Sequence, residues 1–301
     1  MMIRFRKSKG GYSLIELMVS MAVMAIIGSQ LLLAFSTQYD SYIQQDQLAR
    51  TQQDVRILTD TIISDLRMAG FMLPKEFGVA SIDGSTTGSD VLCISDPSVL
   101  VPIEYENASD RYAATGVSSN LGGDDSTLTL VASEMDIDDD GNDDFTNGEG
   151  ILISDGNVTH CALITDLTGA TVTFAPLTPT GASYAPLSVR AVPAMIYQLN
   201  GTTLTRNGLV LSSHMDDLQV EFGVDADGNG LIEGAEFPIH DLAGSDLSKI
   251  RLARVSLTSR TAMADIKFTG SRAAAANRLA GGTDNFKRRK AVADSVLRNM
   301  N

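Results

Sequence analysis

The chain has 301 residues, 44% of them hydrophobic, enough for a buried core and one or two domains. Its formal net charge of −14 argues against generic binding to phosphate backbones and fits a solvated, cation-binding exterior. No P-loop, dinucleotide fingerprint, G-x-S-x-G or ligand-spaced histidine pair occurs, so no constellation of residues recommends an enzyme.

Residues 1–11 form a short basic leader with Arg4, Arg6, Lys7 and Lys9, ending in Gly10-Gly11. Tyr12-Ser13-Leu14-Ile15-Glu16 follows, and then a nearly uninterrupted apolar run from Leu17 to Phe35 of about 19 residues, close to one helical membrane span. The positive leader predicts a cytoplasmic N-terminus and an exported body. Without the leader the net charge is −18. The one acid at the start of the span, Glu16, is expensive in lipid unless something pairs with it. A cleaved secretory signal would have a shorter apolar core, with small residues after it. A plain membrane anchor explains the length of the run but not the order Gly-Gly, aromatic, Ser, Leu, Ile, Glu.

That order resembles the prepilin signature of type IV pilins and type II secretion pseudopilins. The resemblance implies that a prepilin peptidase cuts between Gly11 and Tyr12 and that Tyr12 becomes a methylated N-terminus. Glu16 is then the fifth mature residue, neutralised by the N-terminal amine of a neighbouring subunit. The implied partners are other pilin subunits, through their N-terminal helices, and an inner-membrane assembly platform; no nucleic acid is expected. The implied location is the inner membrane, with one pass and a periplasmic head, and then a fibre or its tip at the cell surface.

Residues 12–35 are read as the membrane and fibre-core helix. Ala22, Ala25 and Ser29 place small residues on one face of it. Many pilins interrupt this segment with a proline; here Leu33 stands in that region and Gly28 is the only breaker, a departure that leans toward a minor subunit. Residues 36–70 continue as an amphipathic helix. Ile43, Leu48, Val55, Leu58, Ile62 and Leu66 recur at helical spacing, Gly70 is suited to the C-terminal cap, and Pro74 lies just beyond. This half is expected to pack on its own head.

From residue 71 to 301 the pattern changes to short β-prone runs between Gly, Asp, Ser, Asn and Pro. Strands are predicted over 91–95, 126–132, 150–154, 160–165, 170–174, 194–199, 203–206, 218–224 and 252–258. The fold class is therefore α+β: a long N-terminal helix packed on a mainly antiparallel β head with long loops.

The sharpest motif in the head is Asp225-Ala-Asp227-Gly-Asn229-Gly230-Leu231-Ile-Glu233-Gly-Ala-Glu236, a complete D-x-[DN]-x-[DN]-G-x5-E pattern. Calcium takes six to eight oxygens, and this spacing supplies them. Asp225, Asp227 and Asn229 give side-chain oxygens, Leu231 its carbonyl, Glu233 a contact through water, and Glu236 a bidentate carboxylate, with Gly230 at the sharp turn. The strand-like residues before the loop and Pro238 after it argue for an isolated calcium loop rather than a helix–loop–helix unit. A second acidic run puts Asp138, Asp140, Asn142 and Glu149 at loop positions one, three, five and twelve, but Asp143 replaces the turn glycine. A second calcium site and a solvated acidic loop are equally compatible with it.

Cys93 and Cys161 are the only cysteines, and both fall in predicted strands. In an oxidising compartment they could pair, closing a loop worth on the order of 4 kcal/mol; two buried thiols are the alternative. Near the end, Lys287-Arg288-Arg289-Lys290 reads as a solvated or intersubunit charge patch rather than a nucleic-acid site. The residues after it, through Asn299, are similar to the last strand of PilW-type minor pilins. The functional reading is a structural minor pilin of a priming or tip complex. A J-type pseudopilin of the type II secretion machine, or an uncleaved periplasmic calcium-binding protein, are the alternatives.

Overall fold

The computed structural model describes residues 13–71, 73, 77–96, 127–130, 135–136, 141–154, 159–176, 190–242 and 245–300. The chain divides into two compact units, Met1–Gln47 and Leu48–Asn301, and one helix, α1 (Leu14–Met68), contributes residues to both.

In the first unit the helix is almost wholly apolar from Leu17 to Phe35, on all sides. Leu14, Ile26, Leu32 and Phe35 are each more than half exposed, and the most apolar stretch is long enough to cross a membrane with none of it buried in the protein. The hydroxyls of Ser20, Ser29, Ser36, Thr37 and Ser41 are satisfied within the helix. Ser20 donates to the Leu17 carbonyl at 2.9 Å, Ser29 to Ile26 at 2.8 Å and Thr37 to Leu33 at 2.9 Å. Such back-bonding leaves these groups no unmet donor in an apolar surrounding.

In the second unit the helix becomes one-sided. Val55, Leu58, Ile62, Ile63 and Leu66 are buried, and the 3.6-residue period makes them one stripe. They enter a core with Val79 and Ile94 and with residues of the strands described next, among them Tyr197, Leu218, Val255 and Leu297. Asp65 fixes the helix polar-side. It accepts a short hydrogen bond from the Tyr197 hydroxyl and lies 3.5 Å from the Arg206 guanidinium. Burial, and then the hydrogen bond to Asp65, push the Tyr197 phenol well above its ordinary range, so it remains a donor. The helix stops at Gly70, whose φ of +70° is the left-handed conformation a Cβ disfavours. Gly70 N then donates to Ser95 Oγ at 2.9 Å.

Every strand pairing among the described residues is antiparallel. The larger sheet contains β1 (Val79–Ile82), β2 (Val91–Ser95), β3 (Thr127–Thr129), β4 (Gly150–Ser154), β5 (Thr159–Thr168), β6 (Thr171–Pro176), β7 (Arg190–Asn200), β8 (Thr203–Arg206) and β9 (Leu209–Ser212). Its order is β1-β2-β7-β4-β5-β6-β3, with β8 and β9 continuing beside the C-terminal half of β7. At Gly150 on β4 an added Cβ would lie 2.5 Å from the Ala194 carbonyl, so the close β4–β7 approach requires glycine. The smaller sheet is β10 (Met215–Val224), β11 (Ile250–Arg260) and β14 (Arg288–Val296), in that order; β12 (Gly270–Ser271) and β13 (Thr283–Asp284) form a separate pair.

The fold class read from the sequence holds, with two differences of detail among the described residues: there are two main sheets rather than one, and five strands were not anticipated by β-run patterning. These are β1, β9, β12, β13 and most of β14. The short ones carry too few residues for an alternation to show. β14 runs as three charged residues, Arg288-Arg289-Lys290, and then Ala291-Val292-Ala293, with no alternation to mark it, and its pairing with β11 makes it a strand.

Candidate functional site

The processing residues Gly11 and Tyr12, and the leader, lie outside the described residues. Glu16 is in the first turn of α1 and exposed, where the helix dipole favours a carboxylate. Around it Leu14, Ile15, Leu17 and Met18 are all exposed. Residues 13–47 contain no lysine or arginine. Glu16 therefore has no cationic side chain within that stretch, and in an apolar environment its countercharge must come from elsewhere.

The acidic motif occupies the connection between β10 and β11. Asp225 is the first residue past β10, and its N–H donates to the Lys249 carbonyl at 2.9 Å, one residue before β11. The chain then leaves, turns, and returns. Phe222 and Ile239 exchange backbone hydrogen bonds of 2.8 and 2.9 Å, closing the loop on the strand it came from. A strand therefore enters the loop and a bridge leaves it, with only a 3-10 turn at Gly234–Glu236.

Inside the loop the side chains organise the backbone. Asp227 accepts from Asn229 N at 3.0 Å, Asn229 Oδ1 from Leu231 N at 2.7 Å, and Asp225 Oδ2 from Gly230 N at 3.1 Å. Glu236 folds back from the far end. Its Oε1 accepts from Ala226 N at 2.8 Å and its Oε2 from Glu233 N at 3.0 Å. Gly230, at the sixth position, has φ +81°, a conformation that an L side chain rarely takes. One carboxylate oxygen each from Asp225, Asp227 and Glu236 lies within 4.8 Å of the others. Leu231 is exposed at the rim, and Glu233 is exposed beside it.

Of the second acidic run, Asp138 and Asp140 lie outside the described residues. Asn142 and Glu149 are placed. The Glu149 carbonyl accepts from Ile164 N at 2.8 Å, which ties this segment to β5, and Asp136 Oδ2 accepts from Gly141 N at 2.7 Å.

Cys93 on β2 and Cys161 on β5 are joined by a disulfide, with Cα atoms 6.3 Å apart. Two strands, β7 and β4, lie between them in the sheet order. A flat sheet would hold them about 14 Å apart at ~4.8 Å per strand. The sheet must therefore coil until β5 faces β2, and the bond crosses its concave side among Phe77, Leu152 and Val192.

A buried charged cluster around Asp217 was not anticipated. Asp217 on β10 is fully buried and accepts from Arg272 Nη1 at 3.0 Å, from Arg278 Nη1, and from Ser89 Oγ at 3.0 Å. Arg272 also donates to the Leu279 carbonyl and Arg278 to the Thr87 carbonyl, so two distant loops meet on one carboxylate. Asp90, 2% exposed, sits beside it and accepts from Val220 N at 2.7 Å and Gly84 N at 2.9 Å. Burial pushes its carboxyl up to about 7, with the neighbouring Asp83 and Asp217 charges adding and those two N–H groups opposing. In sequence only the acidic pair Asp216-Asp217 inside a β-run hinted at this. Part of the basic tetrad also serves the fold: Lys287 pairs with Asp265 at 2.9 Å, and Arg288 with Asp216 at 2.8 Å and with Asp284.

Comparison with known proteins adds one match. The prokaryotic N-terminal methylation motif aligns with residues 6–29, covering the second half of the basic leader, the Gly-Gly pair, Glu16 and the first turns of the apolar helix. No curated protein and no solved structure matches the chain. That motif, leading into an apolar N-terminal helix and an antiparallel β body, supports a type IV pilin-like protein of the prepilin type.

Proposed function

We propose that the protein is a minor pilin, a structural subunit of the complex that primes or tips a type IV pilus. The observation that carries this reading is Glu16: the single acid in the exposed apolar stretch through Phe35, inside a methylation motif, with no cationic side chain from residue 13 to 47. In a bundle of such helices the missing positive charge is the N-terminal amine of an adjacent subunit, and the apolar surface is covered by neighbouring helices. The subunit waits in the inner membrane with its head in the periplasm, loses residues 1–11 to the prepilin peptidase, and is drawn into the fibre by the assembly platform. The unbroken span, without a proline, and the tail's likeness to PilW-type subunits support a minor rather than a major role.

The test is an in-frame deletion in the source organism, scored for surface pili by electron microscopy and for secreted proteins by gel. Lost pili with intact secretion is the expected result. Intact pili with lost secretion would overturn it in favour of a pseudopilin. Complementation with Glu16→Ala is expected to leave the protein in the membrane and out of sheared fibres. An N-terminus still at Met1 by mass spectrometry would point instead to an uncleaved membrane-anchored protein.

A further inference from the structure

We propose that the loop from Asp225 to Glu236 is a calcium site that closes the β10–β11 connection. Three observations converge on it. The oxygen-ligand pattern is complete over twelve residues. The carboxylates of its first, third and twelfth positions already converge within 4.8 Å. Most telling is Asp225, which is 2% exposed. Its Oδ1 is sealed from solvent and accepts no hydrogen bond, while Oδ2 takes Gly230 N and stands 3.6 Å from Arg251 Nε.

A buried carboxylate oxygen without a donor is costly unless a cation meets it. The other nearby cationic group does not serve, because Lys249 Nζ donates to the Ala226 carbonyl at 2.8 Å. The loop carries four acids and neither histidine nor cysteine, which selects a hard, oxygen-seeking cation over zinc. Magnesium demands near-ideal octahedral geometry and gives up its water reluctantly. Calcium accepts the irregular mixture offered here: the Asp225, Asp227 and Asn229 side chains, the Leu231 carbonyl and Glu236. The loop is also built to receive it. Glu236 is folded back over Ala226 and Glu233, and the Phe222–Ile239 bridge holds the exit strand in place.

The site lies one side chain away from the C-terminal turn. Arg251, beside Asp225, also donates to the Met300 carbonyl, and Met300 is buried against Gly70 and Gly78 at the end of α1. Metal in the loop would release Arg251 from sharing Asp225 and leave it wholly to that turn.

The test uses the full chain in detergent micelles, first stripped with chelator. Calcium binding is measured by isothermal titration up to about 5 mM, above the weakest affinity such loops show. Thermal unfolding is followed with calcium, with magnesium at the same concentration, and with chelator. The wild type is expected to bind calcium and to melt at a higher temperature with it, with magnesium giving a smaller shift. Asp225→Asn is expected to weaken binding at least tenfold or to remove one calcium per chain. Because Asp225 is buried and that variant could misfold, Glu236→Gln, at the half-exposed end of the loop, is the second probe; it is expected to do the same with an unchanged circular dichroism spectrum. A wild type that binds no calcium, equal shifts by magnesium, or a folded Glu236→Gln with wild-type stoichiometry and affinity would each overturn the proposal.

Discussion

The two ends of strand β10 handle buried negative charge in opposite ways. At its start, Asp217 is fully buried and receives two guanidiniums and a hydroxyl, all from the chain itself. Just past its end, Asp225 is almost as deeply buried, yet one of its oxygens has no partner. The arginines of the first site come from 55 and 61 residues away, so that acid is a fastener for distant loops. The second gathers its oxygens from within twelve residues, has Arg251 Nε 3.6 Å from one Asp225 oxygen, and is the loop proposed above to take calcium. On that proposal one charge stabilises the fold whenever the chain is intact, and the other would do so only with its cation.

The largest effect that can sharpen this contrast is Asp217→Ala. Removing one partner from a buried ionic network strands Arg272 and Arg278, and the expected loss is on the order of 3–5 kcal/mol. Thermal unfolding should show a large drop that calcium does not restore; a near-wild-type melting temperature would break the idea that Asp217 holds those loops.

Next is the disulfide. The double variant Cys93→Ser with Cys161→Ser should lose up to about 4 kcal/mol, the loop-entropy ceiling for its span. A wild type whose denaturation midpoint is the same with and without reductant would contradict it. Calcium follows. At a hundredfold excess over its dissociation constant a ligand adds about 2.7 kcal/mol, a gain expected in the wild type and in the disulfide variant but absent from Asp225→Asn.

The weakest handle is pH, because its contributions oppose one another. The folded pKa of Asp90, about 7, lies above the ordinary carboxylate value. Its protonated form therefore contributes stability that is complete below about pH 4 and lost as the pH rises toward 7. Asp284 runs the other way. Hydrogen bonding from Arg288 holds it at about 2, so its contribution is present above about pH 4 and is lost as the pH falls toward 2. Asp90→Asn should flatten the decline between pH 4 and 7 in melting temperature. Superimposable pH profiles for variant and wild type would show that Asp90 does not titrate there.

Local signals in the sequence were legible where they were dense. The span and its Glu16, the buried stripe Val55–Leu58–Ile62–Leu66, and the strands at 91–95, 150–154 and 203–206 can all be read from spacing alone. One signal was present and missed. Asn207-Gly208, both at positive φ, joins β8 to β9 as a two-residue hairpin, and that dipeptide between β-prone runs is among the strongest turn markers known. What could not be read was non-local. Nothing near Asp217 points to Arg272 or Arg278, and no periodicity tells how far a sheet coils, which is what sets Cys93 against Cys161. The candidate loop is the reverse case, since all of its oxygens are neighbours in sequence; only the orphaned Asp225 oxygen needed coordinates.

The staple across the coiled sheet also has a mechanical meaning. If the chain is a fibre subunit, as proposed, it is loaded along its length, and tension entering at Cys93 leaves at Cys161 through the sulfur bridge. The 68 residues of separation between them, roughly 230 Å of extended chain at ~3.4 Å per residue, are thereby kept out of the load path. Strands β4 and β3 lie wholly within that span, so they cannot be unravelled by pulling the chain from its ends while the bond is intact.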